Sequence, residues 1–96
     1  MTPVLVVLLT KMHDLHAADK VLAMALAAAK KNQLKNIKKI VIELGTVIEH
    51  GAEILPENIE FNIIALARPT IAAGAKVEVR PVAGAQVKLV EIEGDK

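Results

Sequence analysis

Gly74 to Glu93 reads GAKVEVRPVAGAQVKLVEIE, and its reading decides the fold. Val77 and Val79 alternate with Lys76, Glu78 and Arg80, which predicts a half-buried strand. Ala83 to Ala85 (AGA) reads as a turn. QVKLVEIE then reads as a further strand, with Val87, Leu89 and Glu91 opposite Lys88, Val90 and Ile92. A connection this short predicts two antiparallel neighbours. The chain therefore ends in paired strands, not in another helix.

Working backwards, LPENIEFNIIALARPT (Leu55–Thr70) reads as a helix. Pro56 fits the first turn, where a missing N–H costs nothing, and Glu57 suits the positive helix end. Ile59, Ile63 and Leu66, with Phe61 and Ile64, supply its apolar side. Pro69 predicts a stop near Arg68. TVIEHGAEI (46–54) reads as a loop turned by Gly51. IKKIVIELG (Ile37–Gly45) reads as a strand with Ile40, Ile42 and Leu44 on one face and Val41 and Glu43 on the other. Leu15 to Asn32 predicts an amphipathic helix: Leu15, Ala18, Leu22, Ala25, Leu26 and Ala29 form one stripe. Asp14 is placed to cap it, and Lys30 and Lys31 suit its negative end.

VLVVLLT (Val4–Thr10) is a continuous apolar run. It predicts a strand buried on both faces at the centre of a sheet. Its alternative is an edge strand that pairs with another chain, giving a homodimer through Val4–Leu9. The predicted order is β-α-β-α-β-β: an α+β fold with two helices packed on a small mixed sheet. Ninety-six residues suffice for a single domain.

Composition narrows the function classes. The apolar fraction is 53%, with one Phe and no Trp or Tyr, so the core must be aliphatic. A net charge of +1 and the lack of stacking side chains speak against nucleic acid as a partner. No cysteine is present, which removes thiolate metal sites and cysteine nucleophiles. The apolar run at Val4–Leu9 is too short to span a bilayer and lacks a basic flank, so no membrane association is expected and a cytoplasmic location is. No Ser/His/Asp constellation or phosphate-cradling loop appears, and Glu43, Glu57 and Glu60 read as solvated faces. An enzyme is not expected.

One cluster carries chemistry. TKMHDLHAADK (Thr10–Lys20) sets His13 and His16 three residues apart around Asp14. Two imidazoles at that spacing can share an ion if both are helical. A helix-start cluster of partly exposed imidazoles is the bland alternative. His50, beside Glu49, is the candidate third ligand, since a metal site usually takes three protein ligands.

The segments MHDLHAADKVL, AKKNQLKNIKKIVIELG and LPENIEFNIIALARPTIAAGAKVEVRPV, in that order, resemble the HypA/HybF family of nickel-incorporation proteins of hydrogenase maturation. The resemblance runs from about Met12 to Val82, and VKLVEIE is similar to the family's last strand. It implies a nickel metallochaperone in which the His after the family's starting Met binds Ni(II). The terminal amine and backbone amides complete a square-planar nitrogen site there. Carried onto this chain, His13 is the main ligand, Met12 supplies the nitrogen, and Asp14 stands where the family has Glu. His16 and His50 are additional candidates. The implied partner is a maturation GTPase or the hydrogenase large subunit. Two departures are plain. Eleven residues precede Met12, so its nitrogen is an amide that must lose a proton to ligate. The family's four-cysteine zinc module is absent, with PVAGAQ standing in its place, so no zinc site is expected.

Overall fold

The computed structural model describes residues 2–10, 17–49 and 51–96. The elements are β1 (Thr2–Thr10), α1 (Ala17–Lys31), β2 (Lys39–Leu44), β3 (Ile48–Glu49), β4 (Ala52–Glu53), α2 (Pro56–Ala67), β5 (Lys76–Pro81) and β6 (Val87–Gly94). Four strands form one mixed sheet in the order β1-β6-β2-β5, and β3 and β4 form a separate hairpin. Both helices lie on one face of the sheet, giving an α+β fold of two layers.

The helices follow from their local chemistry. α1 buries Ala17, Ala18, Val21, Leu22, Ala25 and Ala29 at helical spacing. It ends where the Gln33 N–H donates to the Lys30 carbonyl (3.2 Å) and the Leu34 N–H to the Ala29 carbonyl (2.9 Å). Gln33 adopts a positive φ of 60° there, and Leu34 turns into the core. α2 starts at Pro56 and buries Ile59, Ile63 and Ala67. The apolar side expected for α2 is therefore wrong in part: Phe61, Ile64 and Leu66 are exposed. Only one narrow stripe of this helix meets the sheet, and small Ala67 completes it. The Thr70 hydroxyl donates to the Ala67 carbonyl at 2.7 Å and accepts from the Ala72 N–H at 3.0 Å, fixing the turn after Pro69.

The expectation that the last two strands pair is also corrected. β6 pairs antiparallel with both β1 and β2, while β5 pairs parallel with β2. The two strands run in opposite directions, but β2 lies between them. The connection after β5 crosses the end of β2 instead of making a hairpin. The Gly45 N–H donates to the Gln86 carbonyl (2.8 Å), and the Thr46 N–H donates to the Gly84 carbonyl (2.8 Å). A Cβ at Gly45 would collide with the Gly84 carbonyl oxygen, so this crossing requires glycine there.

Strict alternation along β6 fails as well. Two residues of β1, Val6 and Val7, oppose the single Val90 of β6, and β2 has no counterpart between Val41 and Ile42. The bulge turns Ile92 to the same side as Val87 and Leu89, and all three are fully buried. They meet Ile40, Ile42 and Leu44 of β2 and Val77 of β5 in one aliphatic cluster under the helices.

The other sheet face is charged. Lys39 Nζ lies 3.6 Å from Glu93 and 3.7 Å from Glu78, and Arg80 Nε donates to Glu78 at 2.6 Å. The Arg80 guanidinium holds the Glu78 carboxyl below its ordinary value. Val41 is buried on this face, flanked in register by Glu78 and Glu91. The end of β6 is tied down by Asn36. Its side-chain amide donates to the Asp95 carboxylate (3.1 Å), and its carbonyl oxygen accepts from the Asp95 N–H (2.9 Å). That hydrogen bond lowers the Asp95 carboxyl from its ordinary value.

β1 is an edge strand, which overturns the expectation that it lies at the sheet centre. It buries Val6 and leaves Leu5 75% exposed. The loop expected over 46–54 contains the β3–β4 hairpin, with Ile48 opposite Glu53 and Glu49 opposite Ala52. No helix among the described residues is long and apolar enough to cross a membrane.

Candidate functional site

Met12, His13, Asp14, His16 and His50, the candidate nickel ligands, all lie outside the described residues. The site is therefore built from the residues that flank them. Ala17 follows His16 in sequence and opens α1. Ala52 follows Gly51 and opens β4. Both line one open cleft of about 520 Å³ between the start of α1, the β3–β4 hairpin and α2.

The cleft has an apolar floor and a polar rim. Ala17, Ala18 and Ile59 are its buried lining, while Asp19, Glu53, Asn58 and Asn62, with the apolar Ala52 and Leu66, line it as exposed residues. Each position has a local cause. Asp19 belongs to the first turn of α1, where a carboxylate suits the unpaired N–H groups. Asn58 and Asn62 are four apart, so α2 stacks them on one line. The two small alanines that open α1 leave the space between the helices. The Ile54 N–H donates to the Val47 carbonyl at 2.8 Å and closes the hairpin that carries Glu53. Gly51, with φ of 81°, makes the turn beside it.

The rim offers two carboxylates and two carboxamides, oxygen-rich groups that draw cations toward the cleft. They do not supply the nitrogen donors that square-planar Ni(II) takes from imidazole and amide. Among the described residues no three His, Cys, Asp or Glu side chains converge on one point. Their contribution to a metal site would be electrostatic. None of the four rim residues stands out in the sequence as a site residue. The one available signal is the pair Asn58 and Asn62, uncharged polar residues at a spacing of four in a helix whose other polar residues are Glu57 and Glu60.

The remaining expectations fall as follows. Glu57 and Glu60 are exposed and Glu43 is half-buried. Gly74 and Gly84 occupy positive-φ turns. Fold and cleft together define a small two-layer α+β protein with an open, acid-rimmed cleft between the start of α1, the hairpin and the length of α2. No family model matches the chain, and no curated protein matches it.

Proposed function

We propose that this chain is a HypA-like nickel metallochaperone acting in the maturation of [NiFe] hydrogenase or another nickel enzyme. His13 is the principal ligand in this reading, with Met12 and Asp14 beside it and His16 and His50 as neighbouring donors. The observation that carries it is the convergence of Ala17, which follows His16, and Ala52, two residues after His50, on one acid-rimmed cleft. Asp19 and Glu53 would raise the local concentration of a divalent cation. The ordered segments of the family resemblance support the same reading. The short crossing at Val82–Gln86 stands where the family carries its zinc module. The protein would be a cytoplasmic carrier and not a catalyst, handing nickel to a maturation GTPase or to the hydrogenase large subunit.

Calorimetric nickel titration tests this on the full chain, on His13→Ala and on a version starting at Met12. Binding in the full chain that His13→Ala weakens by at least ~100-fold is the expected result, about 2.7 kcal/mol. Binding confined to the shortened version would assign the site to a free amine. No binding in either would sink the carrier reading.

A second reading is favoured by one observation, the edge position of β1. In it the chain is a HypA-like interaction module without metal handling, and β1 is its assembly surface.

A further inference from the structure

The chain has one aromatic side chain, Phe61, and the fold leaves it 67% exposed on α2. Glu57, Phe61, Ile64 and Arg68 follow one another at steps of four, three and four, and all four are exposed. Those steps make one stripe along a helix, the spacing of a helix–helix seam. Arg68 caps α2 but keeps helical backbone angles (φ −51°, ψ −43°), so it continues the stripe. With about 3.6 residues per turn, the stripe points away from Ile59, Ile63 and Ala67, which face the core. Neither Glu57 nor Arg68 has an ion-pair partner among the described residues.

The order of these four residues selects what covers them. Glu57 and Arg68 lie at equal distances on either side of the midpoint between Phe61 and Ile64. A second α2 laid antiparallel therefore sets each Glu57 against an Arg68 and each Phe61 against an Ile64. A parallel copy would instead set Glu57 against Glu57 and Arg68 against Arg68, which charge repulsion disfavours. A foreign helix would need the same charges in reverse order, and a second copy of this chain carries them already.

We infer that α2 is a self-pairing helix: two copies of this chain pack α2 against α2 in antiparallel fashion, about a two-fold axis between Asn62 and Ile63. Such an interface is isologous, each copy offering the same patch. The two Phe61 rings are its anchors, as buried aromatic side chains are at most interfaces. Glu60 and Ala65 flank the stripe, one on each side. Small Ala65 lets the helices approach, and the Glu60 side chains stay at the wet rim, where their like charge weakens the pair slightly. A three-turn stripe is about 18 Å long, at the low end of interface sizes, below about 1,200 Å². The dimer is therefore weak, half-formed at on the order of 100 µM. This goes beyond the metal reading above and does not depend on it.

Sedimentation equilibrium of the full chain, metal-free and at low salt, should show that dimer. Phe61→Ser should weaken it at least ~10-fold. Glu57→Arg and Arg68→Glu should each weaken it about 5–10-fold, because like charges then face each other twice. An equimolar mixture of those two variants should associate at least as well as the wild type, since each copy supplies the charge the other lacks. Leu5→Lys, on the β1 edge, should leave the dimer unchanged. Circular dichroism checks that every variant is folded. A wild type that stays monomeric to about 1 mM, a dimer that survives Phe61→Ser, or a mixture no stronger than its two components would each overturn the inference. A dimer dissociated by Leu5→Lys would overturn it as well and assign association to the sheet edge.

Discussion

At one edge of the sheet, β5 sets Lys76, Glu78 and Arg80 against the charged partners of the open face and closes on Pro81. At the other, β1 presents uncharged residues from Thr2 to Thr10 and shows Leu5 to water. Both strands bury one side chain row against the same aliphatic core: Val77 on β5, Val6 on β1. The difference lies only in the residues that the core does not use. Core packing sets what a strand buries, and edge chemistry decides whether that strand stays single.

The largest effect expected is from Ile42→Ala. Ile42 is fully buried in β2, the strand that holds β5 on one side and β6 on the other. Chemical denaturation should show a loss of about 2–5 kcal/mol, enough to dissolve both edges together in a domain of this size. A loss below ~1 kcal/mol would mean that β2 is not the centre of the core.

An intermediate change would make the two edges alike. Replacing Lys76 and Arg80 by Val brings β5 closer to the uncharged β1, leaving Glu78 as its one charge, and removes the Arg80–Glu78 bond. Light scattering should then show concentration-dependent association through β5 that the wild-type edge prevents, with a stability change within about 1 kcal/mol. A double variant that stays as soluble as the wild type would show that edge charge is not what guards β5.

The smallest effect is the pH dependence of the same guard. The Arg80 hydrogen bond holds the Glu78 carboxyl below its ordinary value. Its contribution is therefore fully present above the unfolded-state pKa and is lost as pH falls through the lower folded-state pKa. Glu78 is solvent-accessible, so the slope is shallow. Glu78→Gln should flatten the acid limb of stability slightly and leave neutral pH nearly unchanged. A steeper acid limb in that variant would reverse the sign argued here.

Much of this was legible beforehand. α1 and its last-turn lysines, Pro56 at the start of α2, the stop near Arg68, and the alternation in β2 and β5 all follow from rules that act within a few residues. The stripe buried by α2 was misread because apolar residues surround most of that helix. Phe61, Ile64 and Leu66 carry the same hydropathy as Ile59 and Ile63, and only the direction of the sheet separates them. The cleft was not legible either. Asp19, Glu53, Asn58 and Asn62 come from three elements and share no motif, so nothing but the packing of α1 against α2 and the hairpin assembles them.

The chain's order of elements, its aliphatic core and its lack of thiolate chemistry were determined by the sequence itself, because each depends on composition or on neighbours along the chain. Which strands touch was decided by tertiary structure. Val87–Gly94 reads as the hairpin partner of the strand before it, yet it inserts between β1 and β2. There it covers both and buries Val87, Leu89 and Ile92 together. That choice is made by burial summed over residues more than forty positions apart, assisted by a bulge at Val90 and a close backbone crossing at Gly45. Hydropathy periodicity carries no record of such distant partners, and so β1 could be recognised as a strand while its place at the edge could not.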